Sequence, residues 1–241
     1  MRDTRGQLLP LAITLVWLAA GVPPAAAEWF ADLYGGAAFT ENNHFSLDGH
    51  IDGVAVAGQV ENVRYDPSFS VGGRGGYWFE SFKFFGLGLD VDHFRPDISS
   101  QTAVGRGTIT DSRGALLGVP INVSGVGPVK LRGVDLHITT FAFDLMLRWP
   151  MLEDRGFPNG RLQPYVMGGP ALFLQHLEGF DTRPTHGAET GSGVFWAFTR
   201  NFGLFSEYRY TYVRAALNSG EIVFRTHLST HQLLGGVSFR F

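Results

Sequence analysis

Glu207 and Arg209 stand two residues apart in SEYRYTYV, so an acid and a base share one face of an extended chain. Tyr208 and Tyr210 take the opposite face. The same period places Asp90 and Asp92 opposite Leu87, Leu89 and Val91, and puts Asp144 and Arg148 on one face of VDLHITTFAFDLMLRW. Arg74 in FSVGGRGGYWF and Arg240 in the final SFRF follow the same parity, so four acids meet four bases. A lone buried charge is costly and a paired one is tolerated. The chemistry expected of this set is a salt-bridged interior network, or a narrow ion path if partners exchange. A second constellation is His227-Leu228-Ser229, where the i, i+2 spacing brings an imidazole and a hydroxyl to one face as base and nucleophile. After Ser229 the chain has no Asp or Glu, which leaves Glu221 to serve as the acid from a loop.

These residues need strands to position them, and alternating or Gly-aromatic segments recur at 29–39, 69–79, 82–94, 134–149, 162–175, 191–199, 203–213 and 228–241. Eight such segments, most near the ~9–11 residues of a tilted membrane-crossing strand, give an all-β fold: an eight-stranded antiparallel transmembrane β-barrel. In the last of them Phe241, Phe239, Val237, Gly235 and Leu233 share an apolar face, and the final strand is expected to pair with the first, FADLYGGAA, to close the sheet. Connections alternate in length. Glu80-Ser81 and 200–202 are tight and 150–161 is of middle length, whereas 40–68, 95–133, 176–190 and 214–227 are mostly longer and are assigned outside the cell. Within the two longest, GHIDGVAVAGQVENVRYD and QTAVGRGTITDSRG still alternate, so strands are expected to project past the membrane. Trp29, Tyr77, Phe79, Trp149, Tyr165, Tyr208, Tyr210 and Tyr212 are candidates for the lipid-facing aromatic girdles. A barrel of this size is filled by its own side chains.

The first 27 residues carry Arg2 and Arg5, an apolar stretch from Leu8 to Val22, and Ala25-Ala26-Ala27. This is the pattern of a cleaved secretory signal peptide, with a barrel domain spanning 28–241. The composition, 44% hydrophobic and 17% charged with 32 Gly, 21 Phe and no Cys, contains after Val22 no apolar run long enough for a spanning helix. A secreted chain without disulfides needs another restraint, and hydrogen bonding around a closed sheet supplies one. The net charge of −3 and the lack of a basic stripe exclude nucleic acid as a partner. His44, His50, His93, His137, His176, His186 and His227 all lie in or beside the long loops without metal-ligand spacing, so no metal, cofactor or catalytic set is assigned. GVGPVKLRG lacks the strand-to-helix context of a phosphate loop.

FWAFTRNFGLFSEYRYTYV followed by HQLLGGVSFRF, with LQPYVMGGPALFL and the opening WFADLYGGAAF, resembles the small outer-membrane β-barrel family, OmpA/OmpX-like and labelled "porin family protein". The resemblance covers nearly the whole chain after residue 27. It implies a Gram-negative outer membrane with its lipid and lipopolysaccharide as surroundings, and the barrel assembly machinery as a partner that reads the aromatic end, Phe239 and Phe241. It also implies a structural or adhesive role through the outer loops toward a host or envelope ligand, with a narrow porin-like channel as the alternative. The His-x-Ser also resembles the lipid A 3-O-deacylase family, whose acid follows its Ser; this chain departs from that order, and a lipid A-modifying hydrolase ranks last.

Overall fold

The computed structural model describes residues 28–51, 54–113, 119–177, 183–219 and 221–241, so the leader lies outside the described residues. The strands are β1 (Glu28–Thr40), β2 (Asn43–Ile51), β3 (Val54–Val63), β4 (Ser68–Trp78), β5 (Phe85–Phe94), β6 (Gln101–Asp111), β7 (Ile121–Leu131), β8 (Leu136–Arg148), β9 (Leu162–Leu177), β10 (Arg183–Ala197), β11 (Phe202–Ser219) and β12 (Ile222–Arg240). Eight of them, β1-β4-β5-β8-β9-β10-β11-β12, form an antiparallel ring. β12 closes it on β1 in continuous register from Phe30↔Arg240 to Thr40↔Thr230. The final strand therefore pairs with the first, as its alternation predicts, and no sheet edge is left within the ring.

The side-chain pattern is inverted relative to a soluble protein. On β8, Thr140, Asp144 and Arg148 point into the lumen and are buried, while Phe141, Phe143, Leu145 and Leu147 on the alternate positions are exposed. Leu145 is 51% exposed beside an Asp144 that is 0% exposed. An outward face this apolar has lipid as its natural solvent, and strand pairing around the ring satisfies the backbone without water, interrupted on β9 at Pro170, where the β8–β9 register skips 143–144. Rings concentrate where strands end: Trp29, Trp149, Phe198, Phe239 and Phe241 stand exposed at the short-turn end, and Tyr208 is exposed toward the other.

Tyr165 departs from the girdle expectation. It is buried and points inward, on the same face of β9 as Met167, Ala171 and Phe173. Its hydroxyl finds a carboxylate partner there, which is what a buried phenol requires.

Above the ring the long connections continue as strands. β11 and β12 run paired to Ser219↔Ile222, so most of the stretch read as loop 214–227 is hairpin, and β10 begins at Arg183 rather than at 191. β2 leaves β1 after a two-residue break and pairs with the upper end of β12, from Ile222↔Gly49 to Arg225↔Ser46. Asn43 marks the irregularity in the β2–β3 register; its side-chain amide donates to Thr226 Oγ1 (3.0 Å) and to the His227 carbonyl, and its Oδ1 accepts from Tyr65 (3.2 Å). β3, β6 and β7 then add in turn, giving a four-stranded outer sheet with β7 on its edge. The alternation in the two longest loops thus does mark projecting strands. At the other end the turn between β4 and β5 takes residues 79–84, so β5 starts at Phe85, three residues later than expected.

Candidate functional site

The lumen is stacked in three layers. Toward the long-loop end, Val63, Tyr65, Phe94, Ile138, Phe173 and Val213 form an apolar plug, with Phe45, Val60 and Leu131 of the outer sheet packed on it. Toward the short turns, Phe30, Trp78, Met146, Phe195 and Phe205 form a second cluster. Charge lies between and beneath them. A cavity of about 10 Å³ beside Asp32, Arg74 and Tyr165 has room for roughly one water, which is packing space and not a channel.

Two arginines organise the middle layer. Arg74 on β4 donates to Asp32 Oδ2 through Nε (3.1 Å) and Nη2 (2.9 Å), and through Nη1 to Glu207 Oε2 (2.9 Å). Arg209 on β11 donates to Glu207 Oε1 through Nε (3.0 Å) and Nη2 (2.7 Å), and to Asp90 Oδ1 (3.1 Å) and Oδ2 (3.0 Å). Glu207 thus bridges the two guanidinium groups and accepts a further bond from the Tyr165 hydroxyl at 2.6 Å. Tyr34 donates to Asp90 Oδ1 (2.5 Å) and accepts from Arg209 Nη1 (2.9 Å), with its ring beneath the guanidinium at 4.8 Å. Planar forks satisfied on several sides are the geometry in which buried ion pairs hold.

All eight residues expected in the lumen, Arg74, Asp90, Asp92, Asp144, Arg148, Glu207, Arg209 and Arg240, are buried on the inward face. They do not form one network. Arg74, Asp90, Glu207 and Arg209 join as described. Asp92 stands apart, accepting from Ser70 and from Gln232 Nε2 (2.8 Å). Arg148 and Arg240 sit near the short turns, where Arg148 Nη1 lies 2.6 Å from Glu28 Oε2 and Arg240 Nη1 lies 3.8 Å from Glu28 Oε1. Their guanidinium groups stack on Trp78 and Phe195 at 4.3 and 4.4 Å. Asp144 lies in the middle layer, but neither of its oxygens meets a donor.

The expected balance of four acids and four bases does not hold. Asp32, Glu189 and Glu28 also face inward, so seven carboxylates confront four guanidinium groups. Asp32 shares the parity of Phe30 and Tyr34 on β1, a signal present in EWFADLYGG. Glu189 fell in a stretch read as loop, which the extension of β10 converts into wall.

At the rim the His-x-Ser pair is occupied otherwise. Ser229 Oγ accepts from the Tyr210 hydroxyl at 3.2 Å, while the His227 ring packs against those of His44 (5.2 Å) and Tyr212 (6.3 Å). The backbone carbonyl of Glu221 accepts from the amide of His50. Other outward histidines form a row across β5, β8 and β9, with ring centres 5.9 Å apart for His93 and His137 and 6.3 Å for His137 and His176.

No protein-family model and no curated protein matches the chain. Among solved structures it is similar to the outer membrane protein OprG from Pseudomonas aeruginosa, with 13% identity, a TM-score of 0.48, and coverage of 88% of this chain and 95% of that one. It is also similar to Neisserial surface protein A, with 16% identity, a TM-score of 0.44, and coverage of 90% and 98%. The N-terminal β-barrel domain of Pseudomonas aeruginosa OprF gives 14% identity, a TM-score of 0.40, and coverage of 89% and 97%.

Proposed function

We propose that this protein resides in the outer membrane of a Gram-negative cell and acts at the cell surface, as a non-enzymatic structural or adhesive protein, through the sheet its outer strands build. The observation that carries this reading is β2-β3-β6-β7 standing above a filled lumen. The sheet is anchored to the barrel wall by β12 and ends in an edge strand, β7, whose Val123 and Val126 are exposed. The barrel supplies a rigid post and the sheet supplies the contact area. An unpaired strand edge with apolar side chains is the kind of surface that recruits a partner. The layered lumen, apolar at one end and ion-paired in the middle, argues against the alternative of a narrow porin-like channel.

The test removes β6 and β7, the outer half of the sheet with its edge strand, and keeps the post. Ile98 and Val134 already face each other as an antiparallel bridge, with N···O distances of 3.0 and 2.9 Å, so a short turn can replace 99–133 without spreading β5 and β8. The shortened protein should keep the fast gel mobility of an unboiled barrel but lose attachment of expressing cells to host monolayers or to one another, at matched surface levels. Conductance steps from the intact protein in planar bilayers, with attachment unchanged by the deletion, would favour the channel instead.

A further inference from the structure

Asp90 on β5, Asp144 on β8 and Glu189 on β10 converge inside the wall so that one oxygen from each lies within 4.8 Å of the others. They are 2%, 0% and 3% exposed. Neither oxygen of Asp144 and neither oxygen of Glu189 receives a hydrogen bond. Buried carboxylate oxygens without donors are rare because water is lost with no replacement. Arg209 is committed to Glu207 and Asp90, and reaches Glu189 only at 4.0 Å. The middle layer as a whole sets Asp32, Asp90, Asp92, Asp144, Glu189 and Glu207 against Arg74 and Arg209 alone. Orphaned acceptors and a surplus of negative charge thus coincide at one place, and call for a positive charge there.

We propose that Asp90, Asp144 and Glu189 hold a divalent cation of calcium size inside the barrel. Three carboxylates offer hard oxygen donors only, which suits calcium or magnesium and disfavours zinc or copper. Calcium accepts six to eight oxygens in flexible geometry, which three carboxylates from three strands meet more readily than the near-ideal octahedron that magnesium demands. Magnesium dehydrates reluctantly and usually keeps several waters, which disfavours it at three carboxylates that are all buried. Asp90 takes part while still accepting from Arg209 and Tyr34, since a carboxylate has about four acceptor positions. Gly169 on β9, the partner of Glu189, lets the β8 backbone carrying Asp144 come close; a Cβ there would stand 1.8 Å from the Phe143 carbonyl oxygen. The cation would fasten β5, β8 and β10 across the lumen, a crosslink in a chain that has no disulfide.

The full-length protein, purified from membranes, would be unfolded with chelator and refolded in detergent with calcium, with magnesium, or with neither. After gel filtration, elemental analysis should find one calcium per chain. Thermal unfolding should move upward with calcium, and less with magnesium. Terbium, added as a luminescent substitute, should emit on excitation of tyrosine, because the Tyr34 hydroxyl lies 2.5 Å from Asp90. Asp144→Asn with Glu189→Gln should abolish calcium retention, the thermal shift and the terbium signal, yet unfold at a higher temperature than the wild type in chelator, having lost the repulsion. If that double variant does not fold, Asp144→Asn alone carries the same expectations at reduced size. Calcium retained equally by wild type and variant would overturn the site. So would a wild type that holds no stoichiometric metal and whose stability follows pH but not calcium, for then protons balance the charge.

Discussion

Arg74 meets Asp32 and Glu207 at 2.9 Å inside the barrel, and Arg106 meets Glu61 at the same 2.9 Å in the outer sheet. The Arg74 side chain is 1% exposed and that of Arg106 is 60% exposed. Distance alone would rank these pairs as equals. Their surroundings separate them: inside, water cannot replace a lost partner and the low dielectric magnifies both attraction and desolvation, whereas outside, water and salt stand ready to do so. The lumen is accordingly a place where single substitutions have large effects. In the outer sheet an exchange at such a pair costs little, because solvent takes the place of the lost partner.

The largest effect is expected from Arg209→Ala. It would strip Glu207 and Asp90 of their shared guanidinium and leave buried carboxylates with too few donors. Breaking a buried pair on one side costs roughly 3–5 kcal/mol. Urea unfolding of the refolded variant in detergent should show that loss. A change below about 1 kcal/mol, the value of an exposed pair, would erase the contrast and mean that water reaches the lumen.

Next comes the outward face of the same wall. Leu145 lies midway along the β8 stripe that faces lipid, and an Arg there should cost about 2–4 kcal/mol in a bilayer if it lies near the midplane. Val126 on β7 is more exposed than Leu145, yet Val126→Arg should stay within about 0.5 kcal/mol because its surroundings are aqueous. Refolding both variants into lipid vesicles compares the two solvents directly. Equal penalties would place the outer sheet in the membrane or the β8 face outside it.

The same contrast explains what was legible in the sequence. In the ring every strand has one face in lipid and one in a packed lumen, so alternation is strong, and GLFSEYRYTYV or LQPYVMGGPALFLQ identifies itself. The parity that sends Tyr208 outward also sends Glu207 and Arg209 inward, and the structure follows it. Above the membrane both faces of a strand meet water and neither side needs to be apolar. The wall end of β10 is hard to read for another reason: opposite Glu189 it carries Pro184, His186, Ala188 and Thr190, none of them large and apolar, so 183–190 reads as loop and Glu189 went unseen. Tyr165 misleads for a different reason: a tyrosine serves equally at a lipid interface or beside a buried carboxylate, and only the parity of its neighbours Met167 and Phe173 tells which. Of the pairings within the lumen, the i, i+2 pair Glu207–Arg209 was legible; those between strands were not, since they depend on which strands face one another across the barrel.

A smaller effect is expected at the closure of the ring. Phe241 donates to the Trp29 carbonyl (3.0 Å) and accepts from the Trp29 amide (2.9 Å), while its ring stands 40% exposed on the lipid face. Deleting it removes two backbone bonds, each worth about 0.5–1.5 kcal/mol net. The ladder from Phe30↔Arg240 upward remains. Refolding in detergent should therefore survive with a modest loss. If the assembly machinery reads the aromatic end, surface levels in cells should fall far more than that loss accounts for. Surface levels matching the intact protein would reduce Phe241 to packing alone.

The smallest effect, and the sharpest control on the comparison, belongs to Arg106 and Glu61. With Arg106 mostly exposed and Glu61 partly so, the pair should couple by no more than about 1 kcal/mol in a double-mutant cycle. It should also weaken with ionic strength, because the screening length falls from about 10 Å at 0.1 M to about 3 Å at 1 M salt. Arg74 and Glu207, measured by the same cycle with Arg74→Met and Glu207→Gln, should couple more strongly and barely respond to salt, since no counterion reaches them. The two cycles differ in surroundings and share a distance, so a salt response in both would show that burial does not protect the inner pair. A coupling in the outer pair as large as that in the inner one would show instead that the β3–β6 face carrying Arg106 and Glu61 is itself covered when the protein is at work.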